Sequence, residues 1–168
     1  MILVIMAGGT IDAEPYPDPK HPPVYSTTLK ESLVPAAMKK LGYECRFVQW
    51  SMKDSKEIGA GELQELARLI RDSAEREIIV THGTDRMPEN SRALQELLGG
   101  TEKIIVVTGA MMPLSNGPES DGYANLDYAA RHIGAWPPGV HVVMHAKHFS
   151  PIGLKKNYAT LTFEGDAS

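Results

Sequence analysis

At 168 residues the chain is long enough to bury one substantial core and too short for two domains of ordinary size. Apolar residues make up 42% and charged residues 23%, the balance of an average globular protein, and a net charge of -4 leaves no basic footprint for nucleic acid or an anionic membrane. No apolar run reaches the length of a membrane span, no basic region precedes the short apolar run at the N-terminus, and the lone cysteine, Cys45, has no internal partner. The expected setting is therefore a reducing cytoplasm, without a signal peptide.

Short β-branched apolar runs alternate along the chain with longer segments of helical spacing. In chain order, the pattern predicts a strand at 2–6, a helix at 32–41, a strand at 43–49, a helix at 62–74, a strand at 77–81, a helix at 89–98, a strand at 103–108, a helix at 125–133 and a strand at 140–145. Alternation of this kind predicts an α/β fold. The expected architecture is a single three-layer αβα domain over residues 1–168, with a mainly parallel, flavodoxin/Rossmann-like sheet. The tail at 158–164, YATLTFE, alternates like one more strand, at a sheet edge or across a dimer interface.

Two segments interrupt the alternation. Residues 12–28 hold five prolines and two tyrosines between the first strand and the first helix, far longer than an ordinary connection there and suited to a lid. Residues 111–121, with Pro113, Asn116, Gly117 and Pro118, leave the fourth strand. Both follow carboxyl ends of strands, the edge on which open parallel sheets bind ligands.

The same edge gathers Gly8-Gly9-Thr10, Thr81-His82-Gly83-Thr84-Asp85, Thr108-Gly109-Ala110 and His145-Ala146-Lys147. Glycines there let the backbone turn tightly and aim its amides at an anion or a developing oxyanion. Neither glycine loop has the spacing of a dinucleotide or nucleotide-phosphate motif. A threonine hydroxyl needs a neighbour to take its proton before it can attack, and Thr84, Asp85 and a lysine of the Lys155-Lys156 pair are candidates for that relay. A glycine-threonine turn and a lysine pair also have plain structural uses, as a turn and a solvated face. His132, His141, His145 and His148 lack a compact ligand pattern with carboxylates or cysteines, so no metal or other cofactor is expected.

At these residues the chain resembles the bacterial-type L-asparaginases. Met6-Ala7-Gly8-Gly9-Thr10-Ile11 is similar to the first family signature, and Val80-Thr81-His82-Gly83-Thr84-Asp85-Arg86-Met87 is similar to the second, THGTDTM. Thr108-Gly109-Ala110-Met111-Met112-Pro113, then Ser120-Asp121-Gly122 and Asn125-Leu126, resemble the third stretch, with Met112 in place of the family's arginine. The resemblance runs from Met1 to about Asn157 and corresponds to the N-terminal domain of the usual family member.

The resemblance implies an amidohydrolase that converts L-asparagine to L-aspartate and ammonia. Thr10 would be the nucleophile, Thr84, Asp85 and Lys156 the relay, with Lys155 the one-residue alternative, and Tyr25 the lid tyrosine, with Tyr16 as its alternative. Substrate would be bound by Gly9, Asp54, Ser55, Gly83, Thr84, Asp85 and Ala110, the serine of the Asp54-Ser55 pair holding the α-carboxylate and Asp85 the α-amino group. Backbone amides of the Gly8-Gly9 and Gly83-Thr84 turns would serve the oxyanion. The resemblance also implies a homodimer or homotetramer; ordinary members add a C-terminal domain that completes a neighbour's site, so here either the site works without that contribution or another subunit supplies a substitute. A glutaminase-asparaginase or amidotransferase-type amidase is the alternative enzyme, since asparagine and glutamine differ by one methylene, about 1 to 3 kcal/mol of discrimination. A non-catalytic amino-acid binding module is the alternative outside enzymes.

Overall fold

The computed structural model describes residues 1–18, 20–23 and 26–165. A six-stranded sheet runs in the order β2-β1-β3-β4-β5-β6, built from β1 (Ile2–Gly8), β2 (Cys45–Lys53), β3 (Glu77–Thr81), β4 (Ile104–Thr108), β5 (Gly139–Met144) and β6 (Lys147–Phe149). β1 to β5 pair parallel, and β6 turns back antiparallel on β5. The helices are α1 (Val34–Lys40), α2 (Ala60–Asp72), α3 (Met87–Leu97) and α4 (Gly122–His132).

β1 shows why the sheet is covered on both faces. Leu3, Ile5 and Ala7 enter one core with Leu63, Leu66, Ala67 and Ile70 of α2 and Met87 and Leu94 of α3. Val4 and Met6 enter the other, with Val34, Ala37 and Met38 of α1 and Leu126 and Ala129 of α4. Alternate residues of one strand thus supply both cores, so every side chain from Leu3 to Ala7 is buried. The mainly parallel αβα arrangement is the one expected.

The chain steps from β1 outward to β2, then crosses to β3 on the other side of β1. The order reverses between β1 and β3, and a crevice opens outside the carboxyl ends of strands at such a point.

Several boundaries differ from the sequence pattern. β1 runs on to Gly8 and β2 to Lys53, pairing there beyond an irregularity after Met6. β2 is an edge strand with half-buried residues, so its apolar alternation is weak and its limits are poorly marked. α2, α3 and α4 begin earlier than the apolar spacing suggests; Pro88 sits in the first turn of α3, where a missing N–H breaks no helical bond. α1 is shorter than expected at both ends. β5 ends at Met144, because His145 and Ala146 adopt φ of 54° and 49° and reverse the chain into β6. The tail is not one strand: β7 (Lys155–Asn157) and β8 (Thr162–Glu164) form an antiparallel hairpin, with Tyr158 to Leu161 in its turn. No helix among the described residues is long and apolar enough to cross a membrane.

Candidate active site

Thr10 opens a single helical turn, Thr10–Asp12, directly after Gly8 and Gly9. Gly9 has φ of +83°, and a side chain on it would collide with the backbone of Gly83, so only glycine lets the turn after β1 lie against the turn after β3. The Gly9 amide donates to the Lys53 carbonyl at 3.0 Å. That amide is therefore committed to the β2 edge and does not serve an oxyanion, which corrects one expectation.

Asp12, fully buried, ties this turn to the start of α1: its carboxylate accepts from Ser32 Oγ at 2.9 Å and from the Leu33 amide at 2.8 Å. Burial pushes its carboxyl above the usual value, against the lowering effect of those bonds.

Beyond β3, Thr84 and Asp85 face the β7–β8 hairpin. Lys156 Nζ donates to Thr84 Oγ1 at 2.9 Å and to Asp85 Oδ1 at 2.5 Å, and its side chain is only 6% exposed. Lys155, the neighbouring residue, is exposed. The second Asp85 oxygen, Oδ2, pairs with Lys56 Nζ at 3.0 Å. Burial alone would raise the Asp85 carboxyl, but hydrogen bonds and charge from Lys156 and Lys56 outweigh it and hold the group below the usual carboxylate range. The Tyr158 ring lies 5.1 Å from Lys156 Nζ, and its hydroxyl donates to the Asp85 carbonyl at 3.2 Å.

The hairpin is fixed from two sides. Arg92 of α3 donates to the Leu154 carbonyl at 3.1 Å, and His145 Nε2 accepts from the Phe163 amide at 3.2 Å. The reversal at His145 and Ala146 is itself held by Asn125, whose Oδ1 accepts from the Ala146 amide at 2.9 Å while its Nδ2 donates to the Gly109 carbonyl at 2.9 Å. Asp121 gathers the Met111 and Met112 amides at 3.0 and 2.8 Å. The third motif stretch thus shapes the rim through carboxylate and amide bonds, without the arginine that Met112 replaces.

A cleft of about 290 Å³ opens between these turns. Thr10, Thr84, Asp85, Lys156, Asp54 and Lys56 supply its polar wall; Tyr16, Pro22, Pro23 and Ser26 of the long segment, Met111, and Tyr158 and Leu161 of the hairpin supply the rest. The long segment is closed at its base by the Glu14 amide bonded to the Thr27 carbonyl and the Leu29 amide bonded to the Asp12 carbonyl, both 2.8 Å. It is also tied to the second irregular segment: Asn116 accepts from the Tyr16 amide at 2.9 Å and donates to the Tyr16 carbonyl at 3.1 Å. Tyr25, the expected lid tyrosine, lies outside the described residues, whereas its alternative, Tyr16, lines the cleft.

Other expected site residues sit one layer back. Ser55 is 1% exposed, accepts from the Arg86 amide at 3.2 Å and packs under Gly83, so it supports the turn and is not among the described residues lining the cleft. Gly9 and Gly83 shape the rim by backbone contact, and Ala110 is buried with the α4 core. Asp54 lines the cleft while its carboxylate caps the turn Ser55–Glu57 through the Lys56 amide at 2.9 Å. His82 is fully buried, its ring between the Gly83 carbonyl and Asn90, and burial lowers its pKa; its bonds serve the turn.

Lys56 and Tyr158 were not legible as site residues. Each reads locally as an ordinary surface side chain; the turn after β2 brings Lys56 to Asp85, and the β7–β8 hairpin brings Tyr158 there. His141 and His148 hydrogen-bond each other at 2.8 Å and stack on Trp136, at the far edge of the sheet. No group of three or more candidate metal ligands occurs among the described residues.

Comparison with known proteins extends this geometry. A family model described as Asparaginase, N-terminal, matches residues 1–164. The L-asparaginase of Thermococcus kodakarensis is 34% identical over 70 residues, 42% of this chain and 21% of that protein. The solved thermostable L-asparaginase from Thermococcus kodakarensis shares the fold at a TM-score of 0.81, with 23% identity over 98% of this chain and 50% of that one. A solved probable cytoplasmic L-asparaginase from Campylobacter jejuni gives a TM-score of 0.75 and 25% identity over 98% of this chain and 52% of that one. The chain therefore spans about half the length of these solved relatives. Because the family model runs through both threonine turns and on to the hairpin that carries Lys156, the chain belongs to the asparaginase family, to whose N-terminal domain it corresponds.

Proposed function

We propose that this chain hydrolyses the side-chain amide of L-asparagine to L-aspartate and ammonia through a threonyl acyl-enzyme. The observation that carries the reading is the Lys156 ammonium held jointly by Thr84 and Asp85 in the cleft that Thr10 also lines. A threonine, a lysine-bound second threonine and a carboxylate in one small cleft can attack an amide and move protons around the resulting tetrahedral centre.

In this reading Thr10 Oγ1 attacks the amide carbon, and the C–N bond breaks as the nitrogen takes a proton. Thr84, hydrogen-bonded to Lys156, delivers that proton, and Asp85 keeps the lysine in place and balances its charge. Backbone amides of Thr10 and of the Gly83-Thr84 turn serve the oxyanion in place of the Gly9 amide. Water then cleaves the acyl-enzyme with the relay running in the opposite sense. The proton leaving Thr10 goes to the phenolate of a tyrosine of residues 12–28, which returns it to Thr10 Oγ1 as water cleaves the acyl-enzyme; that tyrosine is Tyr25 by family resemblance or Tyr16 by its place in the cleft, and Tyr16→Phe and Tyr25→Phe separate the two. No metal or cofactor is called for by these steps.

The reading extends to a homodimer or homotetramer working in the cytoplasm, with residues 12–28 as a lid. Ammonia release from L-asparagine by the wild type and by Thr10→Ala tests the chemistry; a gel-filtration mass of a single chain would contradict the assembly.

A further inference from the structure

The carboxylate most suited to receiving a substrate's α-ammonium is already occupied. Asp85 has one oxygen on Lys156 and the other on Lys56, at 2.5 and 3.0 Å. Among the described residues lining the cleft, the other carboxylate is Asp54, whose Oδ1 accepts from the Lys56 amide. Lys56 is held in direction because it sits inside a short turn closed at both ends: Asp54 caps it, and Glu57 Oε2 accepts from the Asp54 amide at 3.0 Å. The Lys56 side chain is nevertheless 55% exposed and lines the cleft, within reach of an incoming ligand as well as of Asp85.

Two ammonium groups compete badly for one carboxylate oxygen, and placing like charges side by side costs several kcal/mol when they are desolvated. A substrate with an α-ammonium must displace Lys56 or sit against it. A substrate with a carboxylate and no α-ammonium meets the opposite situation: Lys56 becomes its counter-ion, and Asp85 stays fully paired.

We infer that Lys56 is a specificity residue that takes the place of a substrate α-ammonium on Asp85, so that the cleft favours β-carboxamides bearing a carboxylate but no α-ammonium, of which succinamate is the simplest. This inference rests on the amidohydrolase reading and narrows its substrate class, L-asparagine being the slower substrate. The reaction is the same: the amide C–N bond breaks, the acyl group passes to Thr10 and then to water, and succinamate plus water gives succinate plus ammonia.

The test separates binding from turnover. Titration calorimetry with succinate and with L-aspartate on the wild type is expected to show succinate binding about tenfold more tightly. Lys56→Ala, at an exposed position that does not enter the core, is expected to erase or reverse that ratio, and kcat/KM for succinamate against L-asparagine is expected to move in parallel. Tighter binding of L-aspartate to the wild type, an unchanged ratio in Lys56→Ala, or binding of neither product would overturn the inference. Failure to release ammonia from either amide, with the binding ratio as expected, would instead strike at the hydrolytic reading alone.

Discussion

Gly9 and Gly83 touch backbone to backbone: a Cβ on Gly9 would stand 2.3 Å from Gly83 Cα. Two motifs far apart in sequence are thereby locked at one point, and Thr10 and Thr84, each the next residue along, face one cleft. Gly9→Ala must part the two turns and also force an alanine to φ of +83°. It is expected to cost about 2 kcal/mol or more of unfolding free energy, read by urea denaturation, and to abolish turnover even in the fraction that folds.

Lys156 is the residue on which the relay turns. Lys156→Met keeps the length of the buried stem and removes the ammonium, leaving Thr84 without its donor. Turnover is expected to fall by about a hundredfold or more, with far-ultraviolet circular dichroism unchanged. Lys155→Met, one residue away and exposed, is expected to leave turnover within about twofold, as surface changes usually do.

Thr84 separates hydrogen bonding from shape. Thr84→Val preserves volume and deletes the acceptor of the 2.9 Å bond from Lys156; Thr84→Ser keeps it. Steady-state kinetics should show the valine variant losing about a hundredfold in kcat and the serine variant retaining most of it.

The acid limb of stability carries a signature from Glu75, far from the cleft. Arg46 donates to both of its carboxylate oxygens, at 2.6 and 2.9 Å, and holds its pKa at about 2 against an ordinary 4.5. The folded value lies below the unfolded one, so this contribution is fully present above about pH 4.5 and is lost as the pH falls toward 2. Denaturation midpoints measured between pH 6 and pH 2 should converge for wild type and Glu75→Gln toward the acid end, as wild type loses an advantage the variant never had. A gap that stays constant across that range would contradict the assignment.

The fold was legible where burial writes a pattern. β3 has the boundaries read from sequence, because a central strand buried on both faces is a clean apolar run closed by a polar turn. The hairpin was not, since the alternation of YATLTFE is equally that of a single strand and of a turn followed by a strand; what decides is the hold of His145 and Arg92 on its two sides. At the site, motif residues that meet the cleft directly were legible as a family pattern. Ser55, by contrast, looks the same in sequence whether it faces ligand or supports a turn, and only its contact with Gly83 and the Arg86 amide distinguishes the two. Lys56 carries no local mark at all, because its partner Asp85 lies beyond α2 and β3 in the sequence.

Asn116 ties the long segment to the rim through both its amide atoms. Asn116→Ala should loosen Tyr16 and raise KM for L-asparagine by a few-fold with a smaller effect on kcat. In hydrogen exchange, amides of the 12–28 segment should gain protection on adding L-aspartate in the wild type and gain less in the variant. Unchanged protection in the wild type would remove the lid from the account.

The most direct test of the central claim is ammonia release from L-asparagine by the wild type and by Thr10→Ala, each shown to be folded. The account predicts turnover in the wild type and its loss in the variant, by about a thousandfold or more, the scale expected when a nucleophile is removed. Comparable ammonia release by both proteins would contradict Thr10 as the nucleophile, and no release by either would contradict the hydrolytic function itself.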